Sequence, residues 1–262
     1  MSSTEKPPYD PYGLAGRVAI VTGGGQGLGR HFAKAYAKAG AIPIIAELNL
    51  EKAQSVLREV EAMGGKGLAL KTDVRSPEDW ETLVRETTQA FGRIDILVNN
   101  AALFSQIKMR PFEQIPLDEW DLAMDVNVKG LFLGARAVVG SMRDAGWGRI
   151  VNISSGVVNA APPNYLHYPT SKAAVVGLTR ALAREVGNDG ITVNALMPGA
   201  IETEVPRKTV SADLKKRVIA SQCIQRPQES EDLVGPLMFF SSMACGFVTG
   251  QCMSVDGGSI FR

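Results

Sequence analysis

The sequence predicts an α/β fold in which a doubly wound, seven-stranded parallel sheet is flanked by helices on both faces. Short β-branched apolar runs alternate with longer helical patterns, and this alternation is typical of parallel sheets. A glycine-rich turn joins the first strand to the first helix, and two long interruptions, 156–167 and 198–228, both follow strands. Because parallel sheets bind ligands at the carboxyl ends of their strands, both interruptions are expected beside a site.

The strands are assigned to the apolar runs and the helices to the stretches between them. Pro43 is expected at the first residue of its strand, because proline cannot donate to a sheet. The predicted strands are 17–22, 42–46, 67–71, 94–98, 149–153, 191–196 and 251–255. The predicted helices are about 27–39, 50–63, 76–91, 118–145, 166–188 and 229–241.

The chain shows no internal repeat and no domain boundary, and 262 residues can form one α/β domain. We therefore expect a single domain over residues 13–262, with a substrate lid at about 198–228. The polar, proline-rich start has no apolar core of a secretion signal, so residues 1–12 are expected to be a flexible tail.

Composition excludes several classes of function. With 28 basic and 27 acidic residues the net charge is +1, which gives no reason to expect nucleic-acid binding. No run of 18 apolar residues occurs, so no membrane span is predicted. Cys223, Cys245 and Cys252 lack metal-ligand spacing, and they predict reduced thiols in a cytoplasmic protein without a metal site.

Residues 23–29 read Gly-Gly-Gly-Gln-Gly-Leu-Gly and lie between a predicted buried strand and a helical pattern. This order of strand, glycine turn and helix is the context of a dinucleotide-binding fingerprint. Glycines let a pyrophosphate approach the main chain, and the helix N-terminus supplies N–H donors and a positive dipole end. The alternative is a flexible turn without a ligand.

Tyr168 and Lys172 are four residues apart on a predicted helix, so their side chains share one face. A phenol has a pKa of about 10 and is a poor base at neutral pH, but a nearby ammonium lowers that pKa. The pair therefore predicts a tyrosine that acts as a general base. Taken alone the pattern is weak, because a surface tyrosine above a surface lysine has the same spacing.

Together, Thr22-Gly23-x-x-x-Gly27-x-Gly29 and Tyr168-x-x-x-Lys172 resemble the short-chain dehydrogenase/reductase family. The resemblance covers about residues 14–260 and implies a single-domain Rossmann-type fold. Ser155 precedes Tyr168 by thirteen residues, which is the family's spacing for its serine. Further landmarks follow in the family's order: Asp73-Val74, Asn99-Asn100-Ala101, Asn127, Pro198-Gly199, Gly250-Gln251 and Asp256-Gly257-Gly258.

The resemblance implies that Tyr168 takes the hydroxyl proton of an alcohol while Ser155 holds the same oxygen. Lys172 would lower the tyrosine pKa and bind the nicotinamide ribose, and Asn127 would support a water that relays the proton onward. Asn127 could also be an amide at a helix kink whose own hydrogen bonds are satisfied, and the two roles are compatible. The residues implied to bind the cofactor are Gly23, Gln26, Gly27, Leu28, Gly29, Glu47, Leu48, Asp73, Val74, Asn100, Ala101, Ala102, Tyr168, Lys172, Pro198, Gly199, Ile201 and Thr203.

The cofactor is expected to be NAD. Glu47 ends the second predicted strand, where a carboxylate accepts hydrogen bonds from ribose hydroxyls and repels a 2′-phosphate. Family members that use NADP tend to carry a basic residue where this chain has Gln26 or Leu48.

The expected substrate is a small hydrophobic secondary alcohol or ketone, because the segments beside the site are mostly apolar. Phe104, Val157, Leu166 and Met197 are the candidate substrate residues. His167 adjoins Tyr168, but neighbours on a helix point about 100° apart, so a second catalytic base is not expected there.

Three functions remain open: an NAD(H)-dependent alcohol dehydrogenase or carbonyl reductase, a 3-oxoacyl-(acyl-carrier-protein) reductase, and a catalytically silent NAD(H)-binding scaffold or sensor. Silent members usually lose the tyrosine or lysine, and both are present. The carrier-protein reductases tend to be basic where this chain has Gly146 and Asp189. A homotetramer is also expected, because small and apolar residues recur on several faces of two helices: Leu131, Leu133, Ala135, Val138, Ala173, Val176, Leu178 and Ala181.

Overall fold

A computed structural model describes residues 12–205 and 212–261 and contains one sheet of seven parallel strands. Residues 1–11 of the predicted tail and residues 206–211 of the predicted lid lie outside the described part of the chain. The strands are β1 Val18–Thr22, β2 Ile42–Glu47, β3 Leu68–Lys71, β4 Ile96–Asn99, β5 Gly148–Ile153, β6 Ile191–Pro198 and β7 Cys252–Val255.

The strands lie in the order β3-β2-β1-β4-β5-β6-β7. The direction of winding reverses between β1 and β4, which are adjacent and pair through residues such as Val21 and Val98. Open α/β sheets bind their ligands outside the carboxyl ends of the strands at such a reversal. The predicted fold class is confirmed, and the reversal fixes where the site must be sought.

The helices follow the predicted positions, but one predicted helix is divided and two further helices are present. The predicted helix 118–145 is divided by a π turn, Asp125–Lys129. The short helix Val157–Ala160 and the helix Ala212–Ser221 form in segments that the sequence predicted to be interruptions. In chain order the helices are α1 Gly27–Lys38, α2 Leu50–Ala62, α3 Pro77–Phe91, α4 Leu117–Met124, α5 Gly130–Asp144, α6 Val157–Ala160, α7 His167–Val186, α8 Ala212–Ser221 and α9 Val234–Ser241.

The central strand β1 is buried on both faces, and its side chains alternate between two cores. Val18 and Ile20 pack with residues of α3, α5 and α7, whereas Ala19 and Val21 pack with residues of α1 and α9. Covering both faces explains why the strand reads as a continuous apolar run. Each fully buried valine or isoleucine side chain contributes about 1.5–3 kcal/mol.

Pro43 is the second residue of β2, not the first as predicted. The Ile42 N–H donates to the Arg17 carbonyl at 2.7 Å, so Ile42 bonds toward β1 and the next residue's nitrogen faces the opposite side. On that side β3 begins to pair only at Ile44. The missing N–H of Pro43 is therefore tolerated because no ladder bond is required there.

The expectation of a tetramer used two helices, and the structure corrects the argument for one of them. Leu131, Leu133, Ala135 and Val138 of α5 are buried within the chain itself. On α7, Ala173 and Ala181 are exposed, so that face remains uncovered within the chain. None of the helices within residues 12–205 and 212–261 combines the length and apolar character needed to cross a membrane.

Asp95 holds together the amino-terminal end of the sheet, opposite the predicted site. Its buried carboxylate accepts hydrogen bonds from the Val18 N–H at 2.9 Å, from Arg17 at 2.8 Å and from Arg93 at 2.7 Å. A buried N–H that loses its acceptor costs about 1–3 kcal/mol.

We therefore expect Asp95→Ala to lower the free energy of unfolding by about 1–3 kcal/mol, measured by urea denaturation at one protein concentration. Glu86→Ala is the control, because Glu86 is exposed and pairs with the exposed Arg85 at 3.1 Å. The control should change stability by no more than about 0.5 kcal/mol. An Asp95→Ala protein as stable as the wild type would contradict the assignment.

Candidate active site

The glycine turn lies where the winding of the sheet reverses, between the ends of β1 and β4. Gly23 has a φ of +61°, and a Cβ added to it would lie 2.9 Å from the Ala101 Cα. A Cβ on Gly29 would lie 2.1 Å from the Gly23 carbonyl oxygen, so neither position accepts a side chain. This bare main chain at the start of α1 fits the phosphates of a dinucleotide.

Thr22 and Asn100 fasten this turn to β4. The Thr22 hydroxyl accepts hydrogen bonds from the N–H groups of Asn100 at 2.9 Å and Ala101 at 3.0 Å. The Asn100 amide donates to the Thr22 carbonyl at 2.8 Å and lies 3.2 Å from that of Gly23. Asn100 and Ala101, two of the predicted cofactor residues, thus adjoin the turn, and Ala102 beyond them is exposed.

Glu47 lies against the glycine turn, and its carboxylate accepts hydrogen bonds from Gly25 N–H and Asn49 N–H, both at 3.2 Å. The neighbouring Leu48 is exposed at the rim. Lys52, in the first turn of α2, donates to the Gln26 side-chain oxygen at 2.6 Å. Sequence reasoning missed Lys52, because only the fold brings it beside Gln26.

Asp73 and Val74 follow β3 and differ in their surroundings. The side-chain hydrogen bonds from Arg75 hold the pKa of Asp73 below its ordinary value, with Nη2 of Arg75 2.6 Å from the carboxylate. Val74 is buried, and its carbonyl accepts from the Trp80 indole at 3.0 Å. Asp73 is therefore the more exposed of the two predicted cofactor residues.

Tyr168 and Lys172 lie in the first turns of α7, and Ser155 follows the end of β5. Lys172 is buried, and its ammonium donates to the Ile153 carbonyl at 2.9 Å and lies 5.9 Å from the centre of the Tyr168 ring. Burial lowers the pKa of Lys172 to about 8, so the ammonium is still the major form at neutral pH. The Ser155 hydroxyl accepts from the Val157 N–H at 3.2 Å.

Asn127 lies in the π turn and is fully buried. Its oxygen accepts from the Leu103 N–H at 2.7 Å, and its nitrogen donates to the Leu103 carbonyl at 3.1 Å and the Ser171 hydroxyl at 3.0 Å. The side chain therefore links the segment after β4 to α7, and its own hydrogen bonds are satisfied at the helix irregularity, which is the second role that the sequence allowed. The water relay remains a prediction.

Aromatic rings surround Tyr168. The ring centres of Phe104 and Tyr165 lie 5.2 Å and 5.0 Å from its own. Among the other predicted substrate residues, Val157 is half-buried and Leu166 is exposed, whereas Met197 is buried inside β6. Phe104 thus lies against the ring of Tyr168, whereas Met197 is enclosed within the sheet.

His167 is fully buried, and its Nε2 lies 3.0 Å from a carboxylate oxygen of Glu119. Glu119 also accepts a hydrogen bond from Arg110 at 2.9 Å. This chain of three side chains ties α4 and the segment after β4 to the start of α7. It favours a structural role for His167, in line with the expectation that His167 is not a second base.

The segment after β6 returns toward α1. Ile201 is buried and pairs with Gln228 in a β-bridge. Farther along, the Glu204 carboxylate accepts a hydrogen bond from the Gly27 N–H at 3.0 Å, a contact that sequence reasoning missed. Of the predicted cofactor residues here, Pro198 is the last residue of β6, and Gly199 and Ile201 follow it. Thr203 lies beside α1, since a Cβ added to Gly27 would be 3.8 Å from its hydroxyl oxygen.

Within the described residues, no three His, Cys, Asp or Glu side chains gather where they could hold a metal ion. The polar groups of the site instead surround the glycine turn and Tyr168, which both lie at the carboxyl ends of the strands. This arrangement suits a dinucleotide beside a general base.

Comparison with known proteins agrees with this geometry. Residues 23–259 match the family profile described as enoyl-(acyl carrier protein) reductase. The (2S)-[(R)-hydroxy(phenyl)methyl]succinyl-CoA dehydrogenase subunit BbsD of Thauera aromatica is 37% identical over an alignment of 254 residues that covers 94% of this chain and 97% of that protein.

Solved structures give the same result. A short-chain type dehydrogenase/reductase from Mycobacterium marinum has a TM-score of 0.89 at 34% identity, covering 97% of this chain and 99% of that one. A protein described as an NAD(P)-dependent gluconate 5-dehydrogenase from Beutenbergia cavernae, with NADP bound at low occupancy, has a TM-score of 0.88 at 37% identity, covering 95% and 98%. This chain therefore belongs to the short-chain dehydrogenase/reductase family of NAD(P)-dependent oxidoreductases.

Proposed function

We propose that this protein transfers a hydride between NAD(H) and a small hydrophobic secondary alcohol or ketone, with Tyr168 as general acid and base. The observation that carries the proposal is the pairing of Tyr168 with the buried ammonium of Lys172, 5.9 Å from its ring centre. An opposite charge at this range favours the ionised form of a phenol.

The side chains divide the reaction between them. When bound, the nicotinamide accepts the hydride in oxidation and supplies it in reduction. Tyr168 takes the proton of the alcohol oxygen and returns it in the reverse direction. Ser155 already accepts from the Val157 N–H, so its own hydroxyl proton is left to donate to the substrate oxygen.

Lys172 has two roles in this scheme. Its charge stabilises the phenolate, and its ammonium has donors beyond the one used on Ile153, which can bind the nicotinamide ribose. The side-chain nitrogen of Asn127 already donates to Leu103 and to Ser171. A relay water would therefore bind the side-chain oxygen of Asn127 or the main chain of the π turn.

Glu47 supports NAD(H) as the preferred cofactor. Its carboxylate is anchored at the glycine turn, at the end of β2, where it would repel a 2′-phosphate. Lys52 opposes this effect, because its positive charge lies at the neighbouring Gln26. The NADP bound to the B. cavernae protein makes this choice the first one to measure.

The apolar surroundings of Tyr168 support a hydrophobic substrate. Phe104 and Tyr165 flank the ring, and the exposed Leu166 follows Tyr165 in sequence. The name of the T. aromatica relative describes a secondary alcohol that bears a phenyl group. Its reacting carbon carries a hydroxyl group, like that of the substrate proposed here.

The alternatives have less support. A 3-oxoacyl-(acyl-carrier-protein) reductase needs a basic surface for its carrier, but Asp189 occupies one expected position and pairs with Arg143 at 2.7 Å. A silent NAD(H) scaffold is disfavoured, because Asn127, Ser155, Tyr168 and Lys172 are all present. We also propose that residues 13–262 form one catalytic domain of a cytoplasmic homotetramer.

Tyr168→Phe should fold, bind NADH and lose about 10²- to 10⁴-fold in kcat, because the ring is kept and the proton acceptor is removed. NADH absorbance with a panel of alcohols and ketones measures turnover, and NADH fluorescence measures binding. Tyr165→Phe is the matched control, since it removes a hydroxyl from the ring stacked on Tyr168 and should retain most of its turnover. Tyr168→Phe with more than about a tenth of wild-type kcat would overturn the assignment.

The wild type should have a higher kcat/KM with NAD(H) than with NADP(H), and Glu47→Ala should narrow that gap, because the repelling carboxylate is gone. Lys52→Ala is the opposite test on the same rim and should widen the gap. Steady-state kinetics with both cofactors decides. Equal kcat/KM values in the wild type, or a preference for NADP(H), would refute the cofactor proposal.

Light scattering at micromolar concentration should give a mass near four times the 28.0 kDa of one chain. The exposed alanines of α7 and the exposed Phe132 of α5 support this assembly. Ala173→Arg should dissociate the tetramer if α7 forms an interface, and Lys66→Glu, far from α7 in sequence and exposed, is the control. A wild-type monomer near 28.0 kDa would contradict the proposal.

A further inference from the structure

The N-terminus of α1 is already bound to an anion from within the chain. The Glu204 carboxylate accepts a hydrogen bond from the Gly27 N–H at 3.0 Å. The residue before the helix, Gln26, gives no side-chain hydrogen bond to the helix end, and its oxygen is bound to Lys52. Glu204 thus accepts from the first helical residue, one of the N–H groups that have no partner within the helix.

The Glu204 side chain is held there as a charged group. Burial raises the pKa of its carboxyl, but the hydrogen bonds from its own N–H and from Gly27 N–H, together with the nearby Arg30, hold the pKa below its ordinary value. Arg30 lies 3.6 Å from the carboxylate and is itself fixed by Glu59 at 2.9 Å. The carboxylate therefore remains ionised at neutral pH.

The residues on either side of Glu204 also cover the glycine turn. A Cβ added to Gly27 would lie 3.3 Å from a Val205 methyl and 3.8 Å from the Thr203 hydroxyl oxygen. The segment is anchored just before this point, because the Glu202 N–H donates to the Gln228 carbonyl at 3.1 Å. Thr203–Val205 can therefore move from Gly27 while Ile201 and Glu202 stay in place.

A dinucleotide pyrophosphate would need the same donors. In this fold the diphosphate binds the N–H groups at the start of α1, and its negative charge cannot share Gly27 N–H with a carboxylate. We propose that Glu204 is an internal competitor of the pyrophosphate, which must leave Gly27 when the cofactor binds and so lowers cofactor affinity. This inference rests on the proposed dinucleotide site.

Two consequences follow from this competition. Cofactor affinity is set by a residue that is outside the glycine motif and needs no contact with the cofactor. Cofactor binding would also shift Thr203–Val205, which lies within the predicted substrate lid, so cofactor binding and substrate binding would be coupled through one carboxylate.

Titration calorimetry with ADP and with adenosine tests the proposal without any turnover, because adenosine lacks the two phosphates. Glu204→Gln should bind ADP about 2- to 30-fold more tightly than the wild type, the range for a charge at a helix terminus, with adenosine affinity unchanged. Glu204→Ala should also raise the affinity for ADP, and it replaces the glutamine variant if that variant folds poorly. Glu231→Gln is the control, since it removes an exposed acid near His31, 3.6 Å away, that does not contact Gly27.

The outcomes separate the two proposals. Unchanged or weaker ADP binding in both Glu204 variants, with wild-type ADP binding intact, would overturn the role of Glu204 and leave the proposed function standing. An equal gain in Glu231→Gln would also overturn it, because the effect would then be general charge repulsion. Failure of the wild type and all variants to bind ADP or NADH would overturn the dinucleotide site, and this inference with it.

Discussion

A buried ammonium joins the end of β5 to the first turns of α7. Lys172 donates to the Ile153 carbonyl, and its own main-chain carbonyl accepts from the Ser154 hydroxyl at 2.8 Å. A buried charge is costly unless its hydrogen bonds are satisfied, so these contacts restrict the rotation of α7 about its axis. That rotation decides where Tyr168, one turn earlier, presents its hydroxyl. The position of the proposed base is thus set by the same contacts that pack the helix on the sheet.

The glycine turn depends on two carboxylates from outside it. Its main-chain N–H groups need acceptors when no ligand is bound, and two carboxylates serve two of them, Glu47 at Gly25 and Glu204 at Gly27. Each carboxylate stabilises the turn and at the same time opposes an anionic ligand at that donor. Stability of the ligand-free fold and affinity for a phosphate are therefore in conflict at this turn.

Much of the fold was predictable, because buried parallel strands and glycine turns leave strong local patterns. All seven strands were found to within two residues, and the glycine turn identified the switch point. The apolar pattern of 118–145 did not show the π turn, and only the role considered for Asn127 pointed to a kink there. The burial of the α5 residues offered as an interface was not predicted either. Lys52 and Glu204 were missed because their partners are distant in sequence and no local pattern marks such contacts.

The π turn at Asp125–Lys129 has a consequence for how the chain can change in length. A π turn accommodates one more residue than the α-helix around it, so deleting a single residue here would restore a regular helix. The widened turn absorbs the extra residue, so α4 and α5 would keep about their present rotation relative to each other. Such a deletion would instead disturb Asn127, which lies inside the turn and binds Leu103 and Ser171. Loss of one codon here should therefore be tolerated by the two helices and penalised at Asn127.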